Sequence, residues 1–156
     1  MKKSVRDKKL EKIKKIAKKV RNVFEKIEEN EGWAGCRLGG YCGRAAIQLH
    51  LACKRVGINI KISEGIGHAY NEYDGYIIDI TATQFGGYPK VHIRKYKRAT
   101  KELPEFYQKV RTHLSTKTFA SSFWIQQRDI DNDQKFISKH FPGIKTGGRR
   151  RIRCQN

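Results

Sequence analysis

Residues 39–85 read GGYCGRAAIQLHLACKRVGINIKISEGIGHAYNEYDGYIIDITATQF, and the two halves of this stretch carry different periodicities. After Cys42 the apolar positions Ala45, Ala46, Leu49, Ala52, Cys53 and Val56 recur at steps of three and four, and Gly57 stops the run. That spacing predicts an amphipathic helix of about four turns. Gly39 and Gly40 break the chain just ahead of it. Cys42 is therefore expected at the helix N-terminus, on the face that Ala45, Ala46 and Leu49 bury. Orphan N–H groups and the positive end of the helix dipole favour a thiolate at such a place, and the same groups can cradle an oxyanion.

The second half alternates as strands do. Segments 66–73 and 76–82 are β-prone and are joined by Asp74-Gly75, the signature of a two-residue hairpin turn of the primed type. With that turn Tyr73 pairs with Tyr76, Tyr70 lies opposite Asp79, and His68 lies opposite Thr81. His68 and Asp79 then become diagonal neighbours on one face, within reach of a side-chain hydrogen bond. A three-residue loop would shift the pairing by one and turn Asp79 away.

These residue types define roles. An unperturbed cysteine thiol titrates at about pH 8.5 and is mostly protonated at neutrality, so it needs a helix terminus and an adjacent imidazole to become a nucleophile. Cys42 is the candidate nucleophile and His68 the candidate base. Asp79 is the group that would fix the imidazole tautomer and stabilise its cation. The competing reading of each is structural. Free cysteine is among the most buried residue types, and a histidine on a sheet is often a satisfied core residue. Asp79, between Ile78 and Ile80, argues otherwise, because a carboxylate buried there requires a partner.

Cys42 opening a helix, Gly-His-Ala-Tyr at 67–70 and Tyr-Ile-Ile-Asp-Ile-Thr-Ala-Thr-Gln-Phe at 76–85 together resemble the core of the transglutaminase-like and papain-like cysteine hydrolase superfamily. The resemblance covers roughly a third of the chain. It implies an α+β fold with a Cys-bearing helix packed on a small antiparallel sheet, and a protease, glutamine deamidase or transglutaminase activity through a Cys-His-Asp triad without a cofactor. Transglutaminase-like relatives often have His-Ala-Trp where this chain has His68-Ala69-Tyr70, and Asp-Pro-Thr where it has Asp79-Ile80-Thr81. The glutamine that papain carries six positions before its nucleophile is replaced here by Cys36. Gln84 and Gln48 are the candidates left for a side-chain oxyanion donor. Tyr70 and Gln84 are candidates to line the site, with a core tyrosine and a strand-end glutamine as the plainer readings.

The chain of 156 residues is expected to form one domain over 1–144, with a basic, mobile tail at 145–156. No run approaches the ~18 apolar residues of a membrane span, and the lysine-rich start lacks the apolar segment of a signal peptide. Synthesis in the cytoplasm is the expectation. Delivery into another cell, as a toxin, rests only on analogy with the deamidases. Cysteines 36, 42, 53 and 154 form no C-x-x-C pair and match no zinc framework, and the scattered histidines suggest no metal site.

A net charge of +19 predicts salt-sensitive attraction to polyanions. Segment 2–30 reads as a long amphipathic helix whose stripe (Val5, Leu10, Ile13, Ile16, Ala17, Val20, Val23, Phe24, Ile27) runs among many lysines. Those lysines are either a solvated face or a surface for nucleic acid or membrane. Further along, 58–63 and 91–96 read as strands and 103–114 as a helix. Segment 119–125 is ambiguous, and 131–140 is a short helix capped by Asp131 or Asn132. The primary reading is a thiol hydrolase or amidase acting on a protein or peptide, with an acidic substrate suited to the charge. A compact chain favours protease or deamidase over cross-linking. The alternative is a basic nucleic-acid-binding protein on a catalytically inactive papain-like fold, supported by Arg, Lys and Tyr interleaved over 92–98.

Overall fold

Helix α1 (Val5–Asn30) opens with a reciprocal capping box between Ser4 and Asp7. Its stripe of Ile13, Ala17, Val20, Val23, Phe24 and Ile27 is buried against the rest of the molecule. Helix α2 (Cys42–Arg55) follows, and then strands β1 (Lys61–Gly65), β2 (His68–Tyr73), β3 (Tyr76–Asp79), β4 (His92–Lys95) and β5 (Arg111–His113). Helices α3 (Thr116–Ser122) and α4 (Gln127–His140) complete an α+β architecture. The computed structural model describes residues 4–96 and 103–144, so the basic tail expected at 145–156 lies outside the described residues, as does Arg98.

All strand pairs are antiparallel, in the order β4-β3-β2-β1-β5. Tyr73 pairs with Tyr76, and Asp74 and Gly75 both take positive φ (46° and 78°), as a primed turn requires. The register read from Asp74-Gly75 holds from Tyr73–Tyr76 to Asn71–Ile78, and the ladder ends before the expected Tyr70–Asp79 and His68–Thr81 pairs. A second tight turn, Ile66-Gly67, joins Gly65 to its partner His68, so β2 starts at His68 and not at Ile66. Strand β3 stops at Asp79, short of the expected Ala82. Asp79 Oδ1 accepts from the Thr81 backbone N–H (2.7 Å) and the Thr81 hydroxyl (3.1 Å), which bends the chain out of the ladder.

Alternation along β2 splits its side chains between two layers. Ala69, Asn71 and Tyr73 belong to the side that α2 and α1 cover, and the Asn71 amide donates to Ala46 O of α2. His68 and Tyr70 belong to the other, where Tyr70, Ile77 and Tyr107 form an apolar cluster.

The helix expected over 103–114 is absent. In its place a single 3-10 turn at Glu105–Tyr107 leads into β5. Val110 N–H donates to Glu64 O and Arg111–His113 pair with β1, so the segment's hydrogen bonds cover an otherwise open sheet edge. Val110 and Leu114, which the helical stripe required inside, are exposed. Two further expectations shift. The strand read over 58–63 pairs only from Lys61 and runs on to Gly65, and α4 begins before Asp131 and Asn132, which therefore do not cap it. Segment 119–125 divides between α3, capped by Ser115, and a turn in which Trp124 takes φ 59°.

Gly65 fixes how closely the 3-10 turn approaches β1. A Cβ there would lie 1.9 Å from the Phe106 carbonyl oxygen. Gly65→Ala is expected to cost on the order of 3 kcal/mol by urea denaturation. Gly67→Ala, where only the positive φ of 65° opposes a side chain, should cost about 1 kcal/mol. Equal losses would contradict this packing.

Candidate active site

Cys42 is the first residue of α2. Tyr41 provides no side-chain cap, and the first amide to bond back is that of Ala45, to Tyr41 O. The N–H groups of Cys42, Gly43 and Arg44 thus precede the helical ladder. The loop that delivers Cys42 is pinned from two sides. Glu28 of α1 accepts the Leu38 amide at 2.7 Å, and the Thr83 hydroxyl donates to Arg37 O at 3.1 Å. These bonds hold Arg37 and Leu38 at φ 56° and 62°, a region costly for side-chain-bearing residues.

His68 Nε2 lies 2.7 Å from Asp79 Oδ2. Asp79 is nearly devoid of solvent contact, yet its oxygens are fully used: Oδ2 also accepts from the Tyr107 hydroxyl at 2.8 Å, and Oδ1 holds the two Thr81 donors. Burial alone would push this carboxyl up, but His68, Thr81 and Tyr107 together hold it below its usual value. For His68, burial opposes the cation; hydrogen bonding and charge from Asp79 and Cys42 outweigh it and raise the ring to about 9. With Nε2 committed to Asp79, Nδ1 is the ring nitrogen left for a second partner.

The ring is caged by aromatic groups. Phe85 and Phe106 stack on each other at 3.9 Å and meet the imidazole edge-on at 4.9 and 5.7 Å, with Tyr107 and Tyr70 behind. His68 is fully buried and Cys42 retains 7% exposure, so of the three residues Cys42 is the most open to solvent. A groove of about 610 Å³ opens beside the turn that leads into His68, lined by Glu64, Gly65, Gly67, Arg111, Phe123 and Trp124. Phe123 and Ile125 press on Gly43, next to the thiol, where a Cβ would meet them at 2.6 Å.

Of the flanking candidates only Gln84 reaches the triad. Its Nε2 donates to Thr81 O at 3.1 Å and lies 3.4 Å from His68 Nδ1, with a second N–H still to give. Tyr70 is core: it is buried, and its hydroxyl donates to Tyr107 O. Gln48 is held at the α2–α4 contact, donating to Ile130 O, away from the triad. Tyr107 is the participant the sequence reading did not assign, because its spacing with Leu103, Phe106 and Val110 imitated a helix. Arg21 is another: buried on α1, it donates to Ile80 O (2.7 Å) and Thr83 Oγ1 (2.8 Å) and so fixes the chain just past Asp79. Among the described residues no group of three or more His, Cys, Asp or Glu is placed to hold a metal ion. No helix among them is long and apolar enough to cross a membrane.

No family model, curated protein or solved structure matches this chain.

The raised His68 and lowered Asp79 have opposite effects on stability as pH changes. The His68 contribution is complete below the ring's unfolded value of about 6.5, and is lost as pH rises through about 9. That of Asp79 is present above the carboxylate's unfolded value and is lost on acidification. An NMR titration of the His68 ring should give a midpoint near 9 in the native chain. In Asp79→Asn the midpoint should fall, and the alkaline decline of the urea midpoint should flatten. An unmoved ring midpoint in Asp79→Asn would contradict the assignment.

Proposed function

We propose that this chain is a thiol acyl-transfer enzyme of the papain-like and transglutaminase-like kind, with Cys42, His68 and Asp79 as its catalytic residues. The observation that carries the reading is the buried imidazole bonded through Nε2 to a buried carboxylate, in a chain whose α2 begins at Cys42. A purely structural histidine has no need of a cysteine at a helix start.

In the proposed reaction His68 keeps the proton of the Cys42 thiol, and the sulfur attacks the carbon of a substrate amide. The carbonyl oxygen becomes an oxyanion, met by the first-turn amides of α2 and by the spare N–H of Gln84. Collapse to the thioester breaks the C–N bond, and His68 returns its proton to the departing nitrogen. Water, deprotonated by His68, then adds to the thioester and releases the acid and the thiol. If the amide is a glutamine side chain the leaving group is ammonia and the outcome is deamidation; if it is a peptide bond the outcome is cleavage. An extended substrate would lie in the groove beside Gly65 and Gly67, whose wall includes Phe123, the ring that packs on Gly43 next to Cys42.

The test is mass spectrometry of unfolded reduced casein incubated with the native chain and with Cys42→Ala. A gain of about one dalton at glutamine marks deamidation, new termini mark proteolysis, and amine incorporation marks transamidation. One of these is expected with the native chain and none with Cys42→Ala. No modification, or one that persists in Cys42→Ala, would overturn the proposal.

A further inference from the structure

The stretch of α1 from Lys8 to Lys19 carries seven lysines, Lys8, Lys9, Lys12, Lys14, Lys15, Lys18 and Lys19, against one acid beyond the cap, Glu11. All seven are exposed, and among the described residues none enters an ion pair. The acids that do pair on this helix, Glu25, Glu28, Glu29 and the flanking Glu31, lie in or beyond its second half, where they serve Arg21, Lys90, Leu38, Lys26 and Arg44. The positive field is thus left uncompensated at one end of the rod.

Lys8, Lys12, Lys15 and Lys19 follow the i, i+4, i+7, i+11 progression, so they form one exposed row along a flank of the helix, turned away from the buried Ile13, Val20 and Phe24. At 1.5 Å per residue the row is about 16 Å long. Along duplex nucleic acid that length covers about five phosphates of one strand, spaced 3.4 Å apart along the axis.

We propose that this lysine row is a docking surface for the phosphate backbone of double-stranded nucleic acid. Three observations select this partner. A membrane-surface helix needs an apolar face to insert, but the α1 stripe from Ile13 to Ile27 is already spent on the protein core. Single strands are gripped by aromatic side chains on which bases stack, and the one aromatic residue of α1, Phe24, is fully buried. What remains is a straight row of flexible point charges at regular spacing, suited to a regular polyanion read without sequence preference. The proposal does not rest on the triad chemistry.

The test is fluorescence anisotropy with a labelled 24-base-pair DNA duplex at 50 and 200 mM KCl. Four neutralised phosphates give a log–log salt slope of about −3.6, which is an affinity loss of about 150-fold over this range. Lys8→Gln/Lys12→Gln/Lys15→Gln/Lys19→Gln should weaken binding at least tenfold at 50 mM and bring the slope about 3.6 closer to zero. The control is Lys54→Gln/Lys61→Gln/Lys117→Gln/Lys139→Gln, which removes the same charge from exposed positions off α1. It should stay within about threefold of the native chain, and circular dichroism should show both variants folded. Equal weakening by the two sets would overturn the proposal by making net charge, not this row, responsible. So would absence of binding, or displacement of the duplex by polyglutamate or phosphatidylserine vesicles at equal charge concentration.

Discussion

Asp79 is a carboxylate withdrawn from water, and a charge in that position persists only if the protein supplies what solvent no longer does. Here the supply is an imidazolium on one oxygen, with a phenol beside it, and a backbone amide and a hydroxyl on the other. Each of the four donors comes from a position that the fold must place. His68 opens β2, Tyr107 closes the 3-10 turn ahead of β5, and Thr81 follows the bend that ends β3. Removing any of them leaves buried charge less than satisfied, so this one carboxylate ties β2, the end of β3 and the 3-10 turn together.

The wider structure can be understood as the means of holding that pair in register with a helix start. Arg21 from α1 ties down Ile80 and Thr83 immediately past Asp79, and Glu28 of the same helix pins the loop that ends in Cys42. A single long helix therefore references both the carboxylate and the thiol to one frame. On the opposite face, the absence of a side chain at Gly65 lets the Phe106 backbone close over β1 and brings Tyr107 to Asp79. The aromatic cage built from Phe85 and Phe106 excludes water from the ring, strengthening its electrostatic coupling to both partners.

Much of this geometry is legible from local chemistry. Asp74-Gly75 sets a turn whose twist only one register satisfies, and that register puts His68 and Asp79 on a common face. Gly39-Gly40 followed by a three-and-four repeat starts α2 at Cys42. The misreadings have physical causes as well. Leu103, Phe106, Tyr107 and Val110 carry helical spacing, yet their hydrogen bonds and packing go to β1 and to Asp79, partners more than 25 residues away that periodicity cannot see. At Gly65 it is the Phe106 backbone that approaches, and no spacing rule names it. Gln48, on the buried side of α2, was indistinguishable by type from Gln84, and only the path of β3 into its bend brings Gln84 to the ring.

Charge and site occupy separate parts of the molecule. The lysines of α1 lie on the outer side of a helix whose inner side helps to position Asp79 and Cys42, so the proposed thiol chemistry and the proposed duplex docking rest on separate residues. Peptide-mapped alkylation with limiting iodoacetamide at neutral pH tests the central claim most directly, because exposure puts Cys36 ahead of Cys42 and the proposed activation puts Cys42 ahead of Cys36. Cys36 is exposed, Cys42 is 7% exposed and Cys53 is fully buried. An imidazolium-paired thiolate at Cys42 predicts labelling there well ahead of Cys36, with the advantage lost in His68→Ala. Labelling that follows exposure, with Cys36 first and Cys42 slow, would contradict it.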